Sequence, residues 1–95
     1  MIIVAGFLRL DPDQRTSYLD GCEGVIRAAR SAPGCIDFHL SADPIEADRI
    51  NIFEQWDSAE SVDAFRGSGP SDEQQATITE ANVVQHEIAG SSSLT

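Results

Sequence analysis

The chain has 95 residues, a formal net charge of −10 and 41% apolar residues. That length allows one domain, burying ~60–65% of its unfolded surface, and the apolar content excludes a disordered chain. All six basic residues are arginines and they form no basic stripe, which argues against nucleic acid and against an anionic membrane surface as partners.

Ile2 to Leu10 is continuous and rich in β-branched residues, so it reads as a strand buried on both faces. Its apolar stretch, MIIVAGFL, is far short of the ~20 residues that span a bilayer. It also lacks the basic region and cleavage site of a signal peptide, and the protein is expected in the cytoplasm. Asp11-Pro12-Asp13-Gln14 then opens a helix, with Asp11 as cap, Pro12 at the first position and Gln14 at capping-box spacing. Tyr18, Cys22, Val25, Ile26 and Ala29 recur at helical steps as one apolar stripe. Arg27 and Arg30 complement the dipole in the last turn, and Ala32-Pro33-Gly34 ends the helix. Gly21 and Gly24 each cost up to ~1 kcal/mol relative to Ala; a close approach to a sheet would account for them.

Cys35 to Ser41 alternates, with Ile36, Phe38 and Leu40 on one face and Asp37 and His39 on the other. Ala42 to Asp48, with Asp43-Pro44, is a turn. Arg49 to Trp56 alternates again: Ile50, Ile52, Glu54 and Trp56 face one way, Asn51, Phe53 and Gln55 the other. Asp57 to Glu60 is a second capping box, opening a short helix with Ala59, Val62 and Phe65 inward. Gly67 to Pro70 breaks it, and Ser71 starts a short helical stretch through Thr79. Asn82 to Ala89 is the last strand, with Val84, His86 and Ile88 in phase. Residues 1–90 form the domain and 91–95 a flexible C-terminal tail.

The order β-α-β-β-α-β predicts an α+β, ferredoxin-like fold: a four-stranded antiparallel sheet with both helices on one face. The first and third strands are then central. Because the first strand is apolar on both parities, the sheet face away from the helices needs a cover, and a homodimer supplies it. Cys22 and Cys35 are expected as small apolar side chains in or near the core rather than as a disulfide. There is no CxxC or HExxH, and His39 and His86 are the only histidines, so spacing predicts no metal.

Ala32-Pro33-Gly34-Cys35 before a strand, the Asp43-Pro44 turn, and Glu54-x-Trp56 followed by an acidic N-cap and a short helix resemble the antibiotic biosynthesis monooxygenase (ABM) family of the dimeric α+β barrel superfamily. The likeness covers nearly the whole chain in element order, and its motifs fall in residues 32–66. It implies two protomers packed sheet against sheet, each with a pocket between sheet and helices. It also implies, for several members, oxygenation of electron-rich phenols, anthrones or quinols without flavin, metal or haem. Trp56 matches the tryptophan that lines the pocket in the oxygenases. The histidine that many members carry in the short helix is replaced here by Phe65 or Arg66. The first-strand asparagine of haem-degrading members is absent, which disfavours haem. Asn51 and Arg66 correspond in kind to side chains that hold the substrate oxygen.

Cofactor-free oxygenation asks for a dry slot and a cation or donor for a substrate anion, with a base as an optional aid. Trp56 can stack on an aromatic ring and offer its N–H, and Arg66 is a permanent cation; these two are the candidate catalytic residues. Phe65, Phe38, His39, Asn51 and Tyr18 are the candidate substrate-binding residues. Each also has a plain structural role as a core, rim or dipole-complementing residue. The expected activity is therefore a cofactor-independent monooxygenase acting on a quinol, anthrone or polyketide-like phenol. The alternative is a non-catalytic dimer of the same fold that binds a small ligand or serves assembly. Isomerase or decarboxylase work on a small acid is a third reading. A cavity of ~300 Å³ or more beside Trp56 discriminates among them.

Overall fold

The computed structural model describes residues 1–67 and 77–95. Strand β1 runs Ile2–Leu10, helix α1 Arg15–Arg30, β2 Cys35–Ala42, β3 Arg49–Trp56, α2 Ala59–Arg66 and β4 Ile78–Glu87. The strands form one antiparallel sheet in the order β2-β3-β1-β4, so β1 and β3 are central. This is the ferredoxin-like α+β architecture that the element order predicts.

The start of α1 differs from the expected single cap. The Asp11 carboxylate accepts from the Asp13 N–H at 2.9 Å, but Pro12–Gln14 forms a turn of 3-10 helix and the α-helix begins at Arg15. Gln14 makes no side-chain cap. Helix α2 is capped by Ser58, whose hydroxyl accepts from the Ser61 N–H at 3.2 Å. Asp57 instead binds the Ser61 hydroxyl at 2.7 Å. The turn into β2 holds this end of α2. The Asp57 N–H donates to the Gly34 carbonyl at 2.9 Å. Gly34 has φ +85°, and a Cβ there would collide with the Ser61 and Asp57 side chains, so only glycine fits.

Pairing fixes which side chains face the helices. Ile2, Val4 and Leu8 of β1 stand opposite Trp56, Glu54 and Ile50 of β3, and Phe38 and Leu40 of β2 stand opposite Glu54 and Ile52. One core cluster gathers Ile2, Val4, Ala29, Phe38, Trp56 and Val62. The other gathers Leu8, Leu10, Tyr18, Cys22 and Ile50. Burying a large aliphatic or aromatic side chain contributes ~1.5–3 kcal/mol, so these two clusters hold the helices to the sheet.

Four expectations of the sequence pattern are corrected. Ile36 is 52% exposed, because the register shifts between Cys35 and Asp37 and an irregularity there takes Ile36 out of phase with Phe38. Val25 lies at the edge of the α1 stripe and is exposed, while Tyr18, Cys22 and Ala29 are buried. Of the helical stretch expected from Ser71 through Thr79, Thr77 is helical, Ile78 and Thr79 are strand because β4 begins at Ile78, and residues 71–76 lie outside the described residues. Val84 and His86 are exposed, since β4 is an edge strand and both side chains point away from the helices, beside Ala5 and Ile3. That same outer face carries Phe7 and Phe53. The strand ends at Glu87, with one further bond from the Ile88 N–H to the Met1 carbonyl at 2.9 Å.

Candidate active site

Between the sheet and the two helices lies a cavity of about 370 Å³. Leu8, Leu40 and Ile52 of the sheet form its floor. Tyr18, Cys22 and Val25 of α1 form one wall, and Phe38 and Phe65 another. Glu54 and Arg66 supply its charged groups. Gly24 borders the cavity too, and a Cβ on it would meet nothing within 4 Å. The glycine thus makes no close approach to the sheet; it leaves open space.

Glu54 is 3% exposed, on a strand face otherwise made of Ile50, Ile52 and Trp56. A buried carboxylate must be compensated. Trp56 donates its indole N–H to Glu54 Oε1 at 3.0 Å, inside the core. Arg66 donates from Nη2 to Glu54 Oε2 at 2.7 Å. Burial raises the Glu54 carboxyl above the ordinary carboxylate range, while the Arg66 charge and the Trp56 N–H pull it back. Arg66, the last residue of α2, keeps 49% of its side chain exposed, so the ion pair is dry at one end and wet at the other. Tyr18 sits one helical turn from Cys22, and burial followed by the neighbouring thiol pushes its phenol up to about 12; it is a neutral hydroxyl at physiological pH.

The residues picked from the sequence separate into three groups. Phe38, Phe65, Tyr18 and Arg66 converge on the cavity. Trp56 stands directly behind it: it is fully buried, Phe65 covers its ring at 5.4 Å between centroids, and its N–H is committed to Glu54. Phe65 also meets Phe38 edge to face at 5.8 Å. His39 and Asn51 lie on the opposite sheet face. His39 Nε2 is 2.8 Å from Asp37 Oδ1, and its ring lies against Phe53. Asn51 donates to Asp43 at 2.8 Å and accepts from Arg49 Nε at 2.7 Å, tying down the turn between β2 and β3. Among the described residues no three His, Cys, Asp or Glu side chains gather as a metal would require.

Glu54 is the charged cavity residue that the candidate set omits. Its signal was a charged side chain in phase with Ile50, Ile52 and Trp56. A carboxylate on a core parity needs a partner, and a partner on a short helix beside a cavity forms a site.

The sequence profile of the antibiotic biosynthesis monooxygenase family matches residues 1–80. An uncharacterized protein of Synechocystis sp. is 31% identical over 62 residues, which is 65% of this chain and 42% of that relative; the matched stretch thus spans less than half the relative's length. Among solved structures, a provisionally named antibiotic biosynthesis monooxygenase of Deinococcus radiodurans superposes with a TM-score of 0.86 at 16% identity, covering 100% of this chain and 99% of that one. One of Nitrosomonas europaea, also provisionally named, gives a TM-score of 0.80 at 12% identity over 95% and 100% of the two chains. These two share the fold. A third, of Chloroflexus aurantiacus and again provisionally named, is 26% identical with a TM-score of 0.70, over 99% of this chain and 98% of its own. No helix among the described residues is long and apolar enough to cross a membrane.

Proposed function

The chain belongs to the antibiotic biosynthesis monooxygenase family, and from that premise we propose that it is a cofactor-independent oxygenase of a small aromatic molecule: a quinol, an anthrone or a polyketide-like phenol. The observation that carries the reading is the cavity itself. It holds about 370 Å³ of largely apolar space with one carboxylate–guanidinium pair in its wall. An aromatic body fits such a slot by burial, and one ionisable oxygen on it is oriented by the single charged corner. For an anthrone, loss of a proton from the central CH₂ gives an enolate. The enolate carbon bonds to O₂, which is the oxidant, and the resulting peroxide loses water to leave a quinone carbonyl. One anthrone and one O₂ give one anthraquinone and one water. The protein's contribution is to exclude bulk water, to stabilise the enolate oxygen through Arg66, and to hold Glu54 in place through the positioning residue Trp56. Phe38 and Phe65 form the aromatic wall, and the Tyr18 hydroxyl is the further neutral donor on the α1 side.

The same reading includes a two-fold homodimer. Ile3, Ala5 and Phe7 of β1, Phe53 of β3 and Val84 of β4 share the sheet face that neither helix covers, and a second sheet is the cover of matching shape. Light scattering at micromolar concentration should report twice the chain mass. Glu80, Arg9 and Arg49 border the same face; Arg49 lies 4.4 Å from the Phe7 ring centroid, a contact that favours a polar rim around an aromatic centre.

The test is O₂ uptake with an anthrone or a dihydroxynaphthalene and no added cofactor. A rate above the uncatalysed background is expected. The non-catalytic alternative has one observation in its favour, the use of the Trp56 N–H inside the protein. It gains the ground if the same compounds bind, by quenching of the chain's one tryptophan, yet give no O₂ uptake.

A further inference from the structure

Glu54 has two partners of unequal permanence. Trp56 is fully buried and holds Oε1 from within the core. Arg66 holds Oε2 from a half-exposed position at the end of α2, and among the described residues this is its one ion pair. Both members of the pair border the cavity. A ligand entering there meets a guanidinium with further N–H donors and a carboxylate oxygen whose cation can turn to another anion.

We propose that Glu54 is the general base of the cavity, acting by partner exchange with Arg66 on a neutral weak acid: a phenol, naphthol or enol. The ligand O–H bond breaks, its proton forms a bond to Glu54 Oε2, and the electron pair left on the ligand oxygen takes the place of the carboxylate against Arg66. Before and after the exchange the site holds one anion and one cation. A transfer that brings no net charge into a low-dielectric cavity avoids the desolvation penalty that an incoming ion would meet. The Trp56 N–H keeps Oε1 occupied throughout, which leaves Oε2 as the proton acceptor. Burial favours the protonated carboxyl once Arg66 has turned away. A carboxylate ligand is a poorer match, because it brings a charge and must draw a proton from solvent to balance it.

This inference rests on the cavity being the ligand site, as proposed above, but not on any reaction with O₂. Its test uses the intact protein and a nitrophenol, at a pH below the free ligand's own pKa. The bound ligand is expected to show the phenolate absorption band. Titration calorimetry in two buffers of different ionisation enthalpy is expected to give equal heats, so that no proton reaches the buffer. In Glu54→Gln the band should persist against Arg66, with one proton released per ligand. In Arg66→Gln the ligand should bind in its neutral form, without the band. Wild type that binds the neutral phenol, or that releases one proton per phenolate bound, overturns the assignment and leaves the oxygenase reading standing. A phenolate band without proton release, joined to no O₂ uptake with anthrones, supports the base and overturns the oxygenase. Absence of nitrophenol binding overturns the base assignment, and O₂ uptake with an anthrone then decides the oxygenase reading separately. The wild-type measurements decide the matter even if Glu54→Gln does not fold.

Discussion

Replacing Arg66 by methionine keeps most of the side-chain stem and removes the charge that faces Glu54. Breaking a fully buried ion pair from one side costs ~3–5 kcal/mol, whereas an exposed pair contributes ~0–1 kcal/mol. Here the Glu54 side chain is 4% exposed and that of Arg66 49%, with 2.7 Å between them. The expected loss at neutral pH lies between those limits, about 2 kcal/mol. For a domain of this size that lowers the melting temperature by ~8–16 °C. The pH dependence separates this cause from simple loss of packing. Glu54 has a folded-state pKa raised above its ordinary value of 4.5. Its contribution is therefore fully present below that ordinary value and is lost as pH rises through the folded one. Removing Arg66 takes away a charge that lowers the folded pKa, so the window of loss widens upward. The deficit of the variant should be small in acid, where Glu54 is protonated in both proteins, and should grow to its full size by neutral pH. Urea unfolding followed by Trp56 fluorescence, in acidic and neutral buffer, measures both. A deficit of equal size at the two pH values, or none at neutral pH, refutes the claim that Arg66 compensates a buried charge.

Gly6→Ala should be among the most damaging single-methyl changes, because the new Cβ would run into the backbone of Asn82 and lie 2.8 Å from the Val83 Cα; a loss of at least ~3 kcal/mol is expected from overpacking and strain, read as reduced hydrogen-exchange protection along β4. Gly24→Ala should stabilise by up to ~1 kcal/mol, since the new methyl meets nothing and the helix gains propensity, which thermal unfolding checks. Asp43 accepts from the Ile45 and Glu46 N–H groups and from Asn51. Those bonds, the Glu46 N–H first, depress its pKa from 3.8 to about 2. Its contribution is therefore present above the ordinary value and lost as pH falls through the folded one. Asp43→Ala should destabilise at neutral pH and converge with wild type as the pH approaches 2.

The element order was legible because each element carried its own period: alternation in Arg49 to Trp56, a three-four stripe from Tyr18 to Ala29, and glycine or proline at the joints. What the pattern did not carry was the third dimension. Ile36 is written in phase with Phe38, but the irregularity after Cys35 depends on pairing with β3, which no local period records. His39 and Asn51 have the chemistry of a site and lie on the wrong parity for the cavity. Trp56 was legible as a residue of consequence, but not its depth: a buried indole N–H takes the nearest acceptor, and that acceptor, Glu54, is two residues away on the same face. Phe38, Phe65, Tyr18 and Arg66 converge because α1 and α2 pack on one sheet face, a result of topology rather than of any motif.

The strand order has a kinetic consequence. Strands β2 and β3 are neighbours in sequence and in the sheet, so their hairpin closes across a short loop, with Asp43 already organising the turn. Strand β1 must instead pair with β3 on one edge and with β4 on the other, joining Ile2 to Glu87. Such contacts span most of the sequence, and loop closure makes them slow. The hairpin is expected to form early, β1 to dock on β3 next, and β4 to add last. Until then the most apolar strand keeps one backbone edge unpaired, open to another chain in the same condition. Pulse-labelled hydrogen exchange during refolding would order these events, and aggregation should rise with protein concentration in the interval before the β4 amides become protected.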